Sequence, residues 1–235
     1  VTHFNCPQCD KPLKLPDDQE VVRIRCPGCK HEFDAPESEL EHKPAGQYTP
    51  QAYCNMGDAY THLGRHEDAI AAYKQAISID PNFTDAHRRI GNAYGHLGKY
   101  VKAIASHKKA ITIKSDDAET YYKMGGAYSD LERYDEAVEA YKMAISLDPD
   151  YAKAHYNMGA AYSSMKRYTH AVTAYKEAIA IDPDFADAYA NLGAAYTGLK
   201  NYSHAIEALD KAVALKPDSK MAERAQHLLM RLLEQ

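Results

Sequence analysis

From about position 50 the chain loses its irregular character, and small, apolar and polar positions recur at a fixed distance. Gly57, Gly91, Gly125, Gly159 and Gly193 stand 34 residues apart, and the same offset carries Tyr60, Tyr94, Tyr128, Tyr162 and Tyr196. Two rows of alanine follow it as well, one from Ala69 to Ala205 and one from Ala76 to Ala212. Pro81, Pro149, Pro183 and Pro217 close four of the five units. The pattern predicts a helix pair in each unit. Glycine on the first helix and alanine on the second sit where the helices approach most closely, and a larger side chain there would push them apart. Tyr on the first helix and Tyr73, His107, Tyr141, Tyr175 or Leu209 on the second fill the space around that contact, and the proline ends the second helix. The units run 50–83, 84–117, 118–151, 152–185 and 186–219, and the remaining 220–235 reads as an amphipathic helix suited to capping the last unit.

The first 34 residues obey another pattern. "VVRIR" from Val21 to Arg25 alternates apolar and basic residues, as a half-exposed strand does. On either side lie Cys6 and Cys9, then Cys26 and Cys29, in the spacing C-x2-C-x16-C-x2-C. Four thiols in two turns suit a tetrahedral zinc ion, and because protein fills every position the site is structural, with no place for a reactive water. Iron in the same sulfur tetrahedron is the rival metal. Pro7 and Pro27 fix the two turns, and a module this small depends on its metal to fold. Residues 35–49, rich in Pro, Glu and small polar residues, read as a flexible linker.

Charge narrows the function. The 235 residues carry 33 acidic and 28 basic side chains, a formal charge of −5, which gives no broad cationic surface for nucleic acid. Within the cysteine module the basic residues are offset by acids, which weakens the nucleic-acid reading there too. No stretch is long and apolar enough to span a membrane, no secretory signal opens the chain, and the paired cysteines suit a reducing compartment, so the expected location is cytoplasmic. The first residue is Val, so native residues could precede it.

The repeat, with its 34-residue period and its order of aromatic, Gly, Tyr, Ala and Pro, resembles the tetratricopeptide family. The N-terminal segment is similar to the short zinc ribbon that opens many bacterial proteins. The resemblances imply an all-α, right-handed superhelical solenoid of five repeats and a capping helix, preceded by a small β zinc ribbon. They also imply that the first helices line a concave groove. Repeat two departs from the pattern, with Ser115 for proline and His107 for an aromatic, and is expected to be the softest.

Positions 2, 5, 6 and 9 of each repeat fall on one stripe of the first helix. The candidate groove residues there are Arg88, Asn92, Tyr122, Lys123, Lys153, Tyr156, Asn157 and Asn191. Small residues at position 9 of the later repeats leave room for a peptide or helix. Asn157 and Asn191 each offer a donor and an acceptor to a peptide backbone, while Arg88, Lys123 and Lys153 favour acidic groups. The carboxylate clamp of some family members is matched only in part, because Lys123 stands where Asn is expected and Asn157 where Arg is expected.

His62 and His66, four apart, straddle the end of a first helix and a turn, whereas His87, His107 and His155 occupy aromatic packing positions. No nucleophile–base set, acid pair or phosphate loop is visible, so no enzyme is expected. The leading reading is a non-catalytic adaptor that binds a peptide or helix in its groove. A self-assembling scaffold of the organelle-coat or envelope-machinery type is the first alternative, in which an acidic segment of one molecule enters the basic groove of another. A nucleic-acid-associated regulator acting through the ribbon is the second.

Overall fold

The computed structural model describes residues 3–5, 12–14, 22–25, 32–35, 49–218 and 220–233, the strands by their backbone alone. Two compact units divide the chain, Val1–Ile113 and Lys114–Gln235. The division falls in the second repeat, at the segment where Ser115 replaces the closing proline.

The first unit opens with two antiparallel hairpins. Strand β1 (His3–Asn5) pairs with β2 (Pro12–Lys14), Asn5 opposite Pro12. Strand β3 (Val22–Arg25) pairs with β4 (Glu32–Ala35), Arg25 opposite Glu32. Val22–Arg25 of the alternating "VVRIR" lie in β3. Four helices follow: α1 (Pro50–His62), α2 (His66–Ile79), α3 (Thr84–His96) and α4 (Tyr100–Ile113). Thr49 begins α1 by accepting the Ala52 amide at 3.2 Å, with Pro50 in the first turn, where its missing N–H is no loss.

The second unit contains α5 (Ala118–Asp130), α6 (Tyr134–Leu147), α7 (Ala152–Ser164), α8 (Tyr168–Ile181), α9 (Ala186–Gly198), α10 (Tyr202–Leu215) and α11 (Lys220–Leu233). Asp117 caps α5, accepting the amides of Glu119 and Thr120 at 3.1 and 3.3 Å. In both units consecutive helices form antiparallel hairpins, and each hairpin packs on the next by its second helix. The terminal α11 packs against α10, with Ala222 and Ala225 buried.

The recurring glycine of the first four pairs receives a ring rather than a backbone, and Gly193 receives the Leu209 side chain. A Cβ on Gly125 would meet the Tyr141 ring at 2.6 Å, one on Gly159 the Tyr175 ring at 2.7 Å, and one on Gly91 the His107 ring at 2.5 Å. Tyr73, Tyr141 and Tyr175 are each only 1% exposed, so these rings are the centre of the core. The repeat is therefore tightened by a glycine-to-ring contact, which places each tyrosine hydroxyl near the surface of the first helix.

The turn between the paired helices uses one left-handed residue per repeat. Gly64 and Gly98 occupy it with φ of 72° and 67°, but Glu132, Lys166 and Lys200 adopt 58° to 59° at the same place. Tight packing of the helices on either side holds these three side-chain-bearing residues where glycine is favoured. After the second helix, an aspartate folds the turn into the next repeat: Asp80, Asp148 and Asp182 accept the amides of Asn82, Asp150 and Asp184 at 3.0, 3.3 and 3.2 Å.

Candidate functional site

In the first unit, α1 and α3 present charges that satisfy one another. The Tyr73 hydroxyl, reaching past Gly57, donates to Asp58 Oδ1 at 2.9 Å, and the Arg89 guanidinium from the next repeat pairs with the other oxygen of Asp58. Arg88 pairs with Asp85 at 3.4 Å. Burial raises the Tyr73 hydroxyl above its ordinary range, with a partly offsetting contact from Thr61 3.1 Å away. Cys54 lies beneath this network, fully buried, and burial pushes its thiol up to about 11 despite the pull of Arg89 and Arg88. Two buried polar atoms here, Arg89 Nε and Asn92 Oδ1, have no hydrogen-bond partner among the described residues.

In the second unit the first helices are joined by uncharged groups. Asn157 Nδ2 donates to the Tyr122 hydroxyl at 2.9 Å, and Asn191 Nδ2 donates to the Tyr156 hydroxyl at the same distance. Each bond joins one repeat to the one before it. The tyrosines are held from the side by aromatic rings: Tyr151 lies 4.9 Å from Tyr122 and Phe185 4.8 Å from Tyr156, centroid to centroid. Behind them stand Tyr141 and Tyr175, at 5.9 and 5.8 Å. Burial raises the hydroxyls of Tyr122 and Tyr156, while the asparagine bonds act in the opposite direction. At their ordinary ionisation they stay neutral, so the ladder is a row of dipoles without charge.

Several sequence expectations change at this point. Asn157 and Asn191 do not offer their whole amide to a ligand: Tyr122 takes one N–H of Asn157, and Asn191 bonds the Tyr156 hydroxyl and interacts with that of Tyr175 as well. Arg88 is engaged by Asp85 and is not simply an acceptor of acidic groups. Lys123 is exposed with its ammonium 5.7 Å from the Tyr122 ring. Lys153 is exposed too and lines a cleft of about 430 Å³ with Tyr151, Phe185, Asp182, Asp184 and Lys216. Gly126 and Ala160 are half-buried and Ala194 exposed, so the small residues at position 9 do leave the edge of the ladder open. Tyr151 and Phe185 were not foreseen as site residues. They also stand 34 apart, at the last position of their repeats, and that offset was the available signal.

His87 and His155 fill their aromatic positions as expected, each with Nε2 bonded to a proline carbonyl of the preceding turn, Pro81 at 2.9 Å and Pro149 at 3.1 Å. Cys6, Cys9, Cys26 and Cys29 lie outside the described residues. Among the described residues no group of three His, Cys, Asp or Glu could hold a metal ion, and no helix is long and apolar enough to cross a membrane.

The sequence profile of the cilia and flagella-associated protein 70 C-terminal domain matches residues 30–233. Among solved structures, the chain is similar to the crystal structure of MamA protein, with 33% identity over 72% of this chain and 92% of that one and a TM-score of 0.68. It is similar at 26% identity, over 74% of this chain and 90% of that one, to YrrB, described as a TPR protein with an unusual peptide-binding site, with a TM-score of 0.65. A MamA fragment from Desulfovibrio magneticus RS-1 shares the fold at 20% identity, covering 73% of this chain and 97% of that one, with a TM-score of 0.68. No curated protein matches the chain.

Proposed function

The chain belongs to the cilia and flagella-associated protein 70 C-terminal domain family, a tetratricopeptide-repeat family, and from that premise we propose that it is a non-catalytic interaction module that binds an extended peptide. The observation that carries this reading is the ladder of Tyr122 with Asn157 and Tyr156 with Asn191. Each rung is fixed by a hydrogen bond and a flanking ring, and an asparagine amide has one more donor and an acceptor than its bond to the tyrosine uses. That is the complement of a peptide main chain, and because the amides are already oriented, little side-chain entropy is lost on binding. The peptide-binding site ascribed to YrrB supports the reading.

The test uses the intact chain against a displayed library of unstructured peptides, in parallel with the Asn157→Ala, Asn191→Ala double variant and the Arg88→Glu, Lys153→Glu double variant. Peptides enriched by the native chain and lost in the asparagine variant, with its helical signal unchanged, are the expected result. Loss in the charge variant instead would move the site to the lysine and arginine positions. If nothing is enriched and the mass of the native chain rises with concentration, the occupant is a second copy and the scaffold reading takes over.

For the N-terminal segment the proposal is a structural zinc held by Cys6, Cys9, Cys26 and Cys29. In support, each C-x-x-C begins directly after the first strand of a hairpin and ends before the second, and each fills a connection of equal length: Cys6–Lys11 between Asn5 and Pro12, and Cys26–His31 between Arg25 and Glu32. Zinc bound there would supply cross-linking, and the four thiols would serve only to hold it. Such a site belongs in a reducing compartment, where the thiols escape disulfide formation.

A further inference from the structure

At two junctions between repeats a contact lies on the side of the helix turns. It joins position 17 of one repeat, at the start of the second helix, to position 13 of the next, at the end of its first helix. In the second unit these positions hold Tyr168 and Gly198, and a Cβ on Gly198 would meet the tyrosine ring at 2.8 Å. In the first unit the same junction is made by two imidazoles. His66 stacks on His96 with ring centroids 4.8 Å apart and planes inclined by 9°. His66 Nδ1 is buried without a hydrogen-bond partner among the described residues.

We propose that the His66–His96 stack is a proton-sensitive joint between the first two repeats, closed while at most one ring is charged and opened when both are. An imidazolium over a neutral ring is attracted to the π face, whereas two stacked imidazoliums repel at contact distance. Imidazole is the side chain that changes charge between about pH 5 and 8.

The carboxylates on the elements around the stack already have cationic partners. On α2, Glu67 is held by Lys99 at 3.3 Å and Asp68 by Arg65 at 2.6 Å. The start of α2 adds partial positive charge beside His66. The last turn of α1 carries His62, and Asp58 on that helix pairs with Arg89. From α4 comes Lys102, which sits 5.7 Å from the Tyr94 ring. Asp58 with Arg89 and Glu67 with Lys99 also link the two repeats as ion pairs, and an apolar core lies between them, so the stack is the link built from imidazoles.

The experiment compares thermal unfolding of the intact chain at pH 7.5 and 5.0 with that of His66→Tyr and His96→Ser, which install residues found at these positions in other repeats, and of His204→Tyr as a control in the second unit. The midpoint of the native chain and of the control should fall on acidification by about 3 °C or more beyond the fall in His66→Tyr. Hydrogen exchange at pH 5.0 should lose about tenfold protection in α2 and α3 of the native chain and retain it in the variant. Equal acid shifts in the native chain and His66→Tyr would overturn the proposal, as would exchange that rises only outside α2 and α3. Should His66→Tyr not fold, His96→Ser decides the matter by the same comparison.

Discussion

Asn157 donates a side-chain N–H to the hydroxyl of Tyr122, 2.9 Å away and one repeat earlier. Asn191 does the same to Tyr156, so a side-chain bond couples neighbouring repeats on the face that the proposed ligand would occupy. Tyr156→Phe keeps the ring beside Phe185 but removes the acceptor from Asn191. The expected loss is about 1 kcal/mol of stability, the usual worth of one such bond. It would be read as a lower midpoint in denaturant with an unchanged slope. A midpoint equal to that of the native chain would mean that the bond adds nothing to the repeat joint.

Two adjacent glycines should respond in opposite ways to the same change. A Cβ on Gly125 would lie 2.6 Å from the buried Tyr141 ring, while on Gly126 the nearest such atom is the Tyr141 hydroxyl oxygen at 4.0 Å. Gly125→Ala should destabilise by about 2 kcal/mol through overpacking. Gly126→Ala should be neutral or stabilise by up to about 1 kcal/mol, because alanine is the better helix former. Urea unfolding of the pair checks both signs at once.

Alkaline pH should unfold the repeats through their core tyrosines. Burial pushes Tyr141 and Tyr175 up to about 12, from an ordinary value near 10. Above pH 10 the unfolded chain releases these protons and the folded chain does not, so stability is fully present below pH 10 and is lost as pH rises toward 12. Tyrosinate absorbance followed together with helical circular dichroism should show two phenol classes, the later one titrating as the helices melt. If all tyrosines ionise near pH 10 with the helices intact, the burial argument fails.

The five cysteines should fall into two classes. With zinc bound by Cys6, Cys9, Cys26 and Cys29, a thiol reagent at pH 8 should find no fast-reacting group. Chelation should release four thiols, and Cys54, buried and raised to about 11, should react only on unfolding. The helical melting midpoint should change little on chelation or in Cys26→Ser. A large drop would show that hairpins and repeats are packed as one body.

Much of the fold was legible because each repeat states the same local rule. Gly57 and its counterparts, the alanine rows and the closing prolines mark where helices touch and stop, and those demands are met within about 34 residues of chain. The missing proline at Ser115 likewise marked the second repeat as the one that departs from the rule. Candidate residues on positions 2, 5, 6 and 9 were legible for the same reason, since helical spacing alone puts them on one stripe.

What the tertiary structure decided is which of those side chains already have partners. Asp58 receives Tyr73 from its own repeat and Arg89 from the next, and His66 meets His96 across the same joint. Asn157 is turned toward Tyr122, and Tyr151 closes on that ring from the turn before α7. The sequence determined the helices, their repeat and the identity of every group on the stripe, because those follow from local spacing. Pairing depends on distances between residues 15 to 35 apart in the chain, set by how helices and hairpins pack on one another, so charge neutralisation, amide orientation and the histidine stack could be decided only by the folded protein.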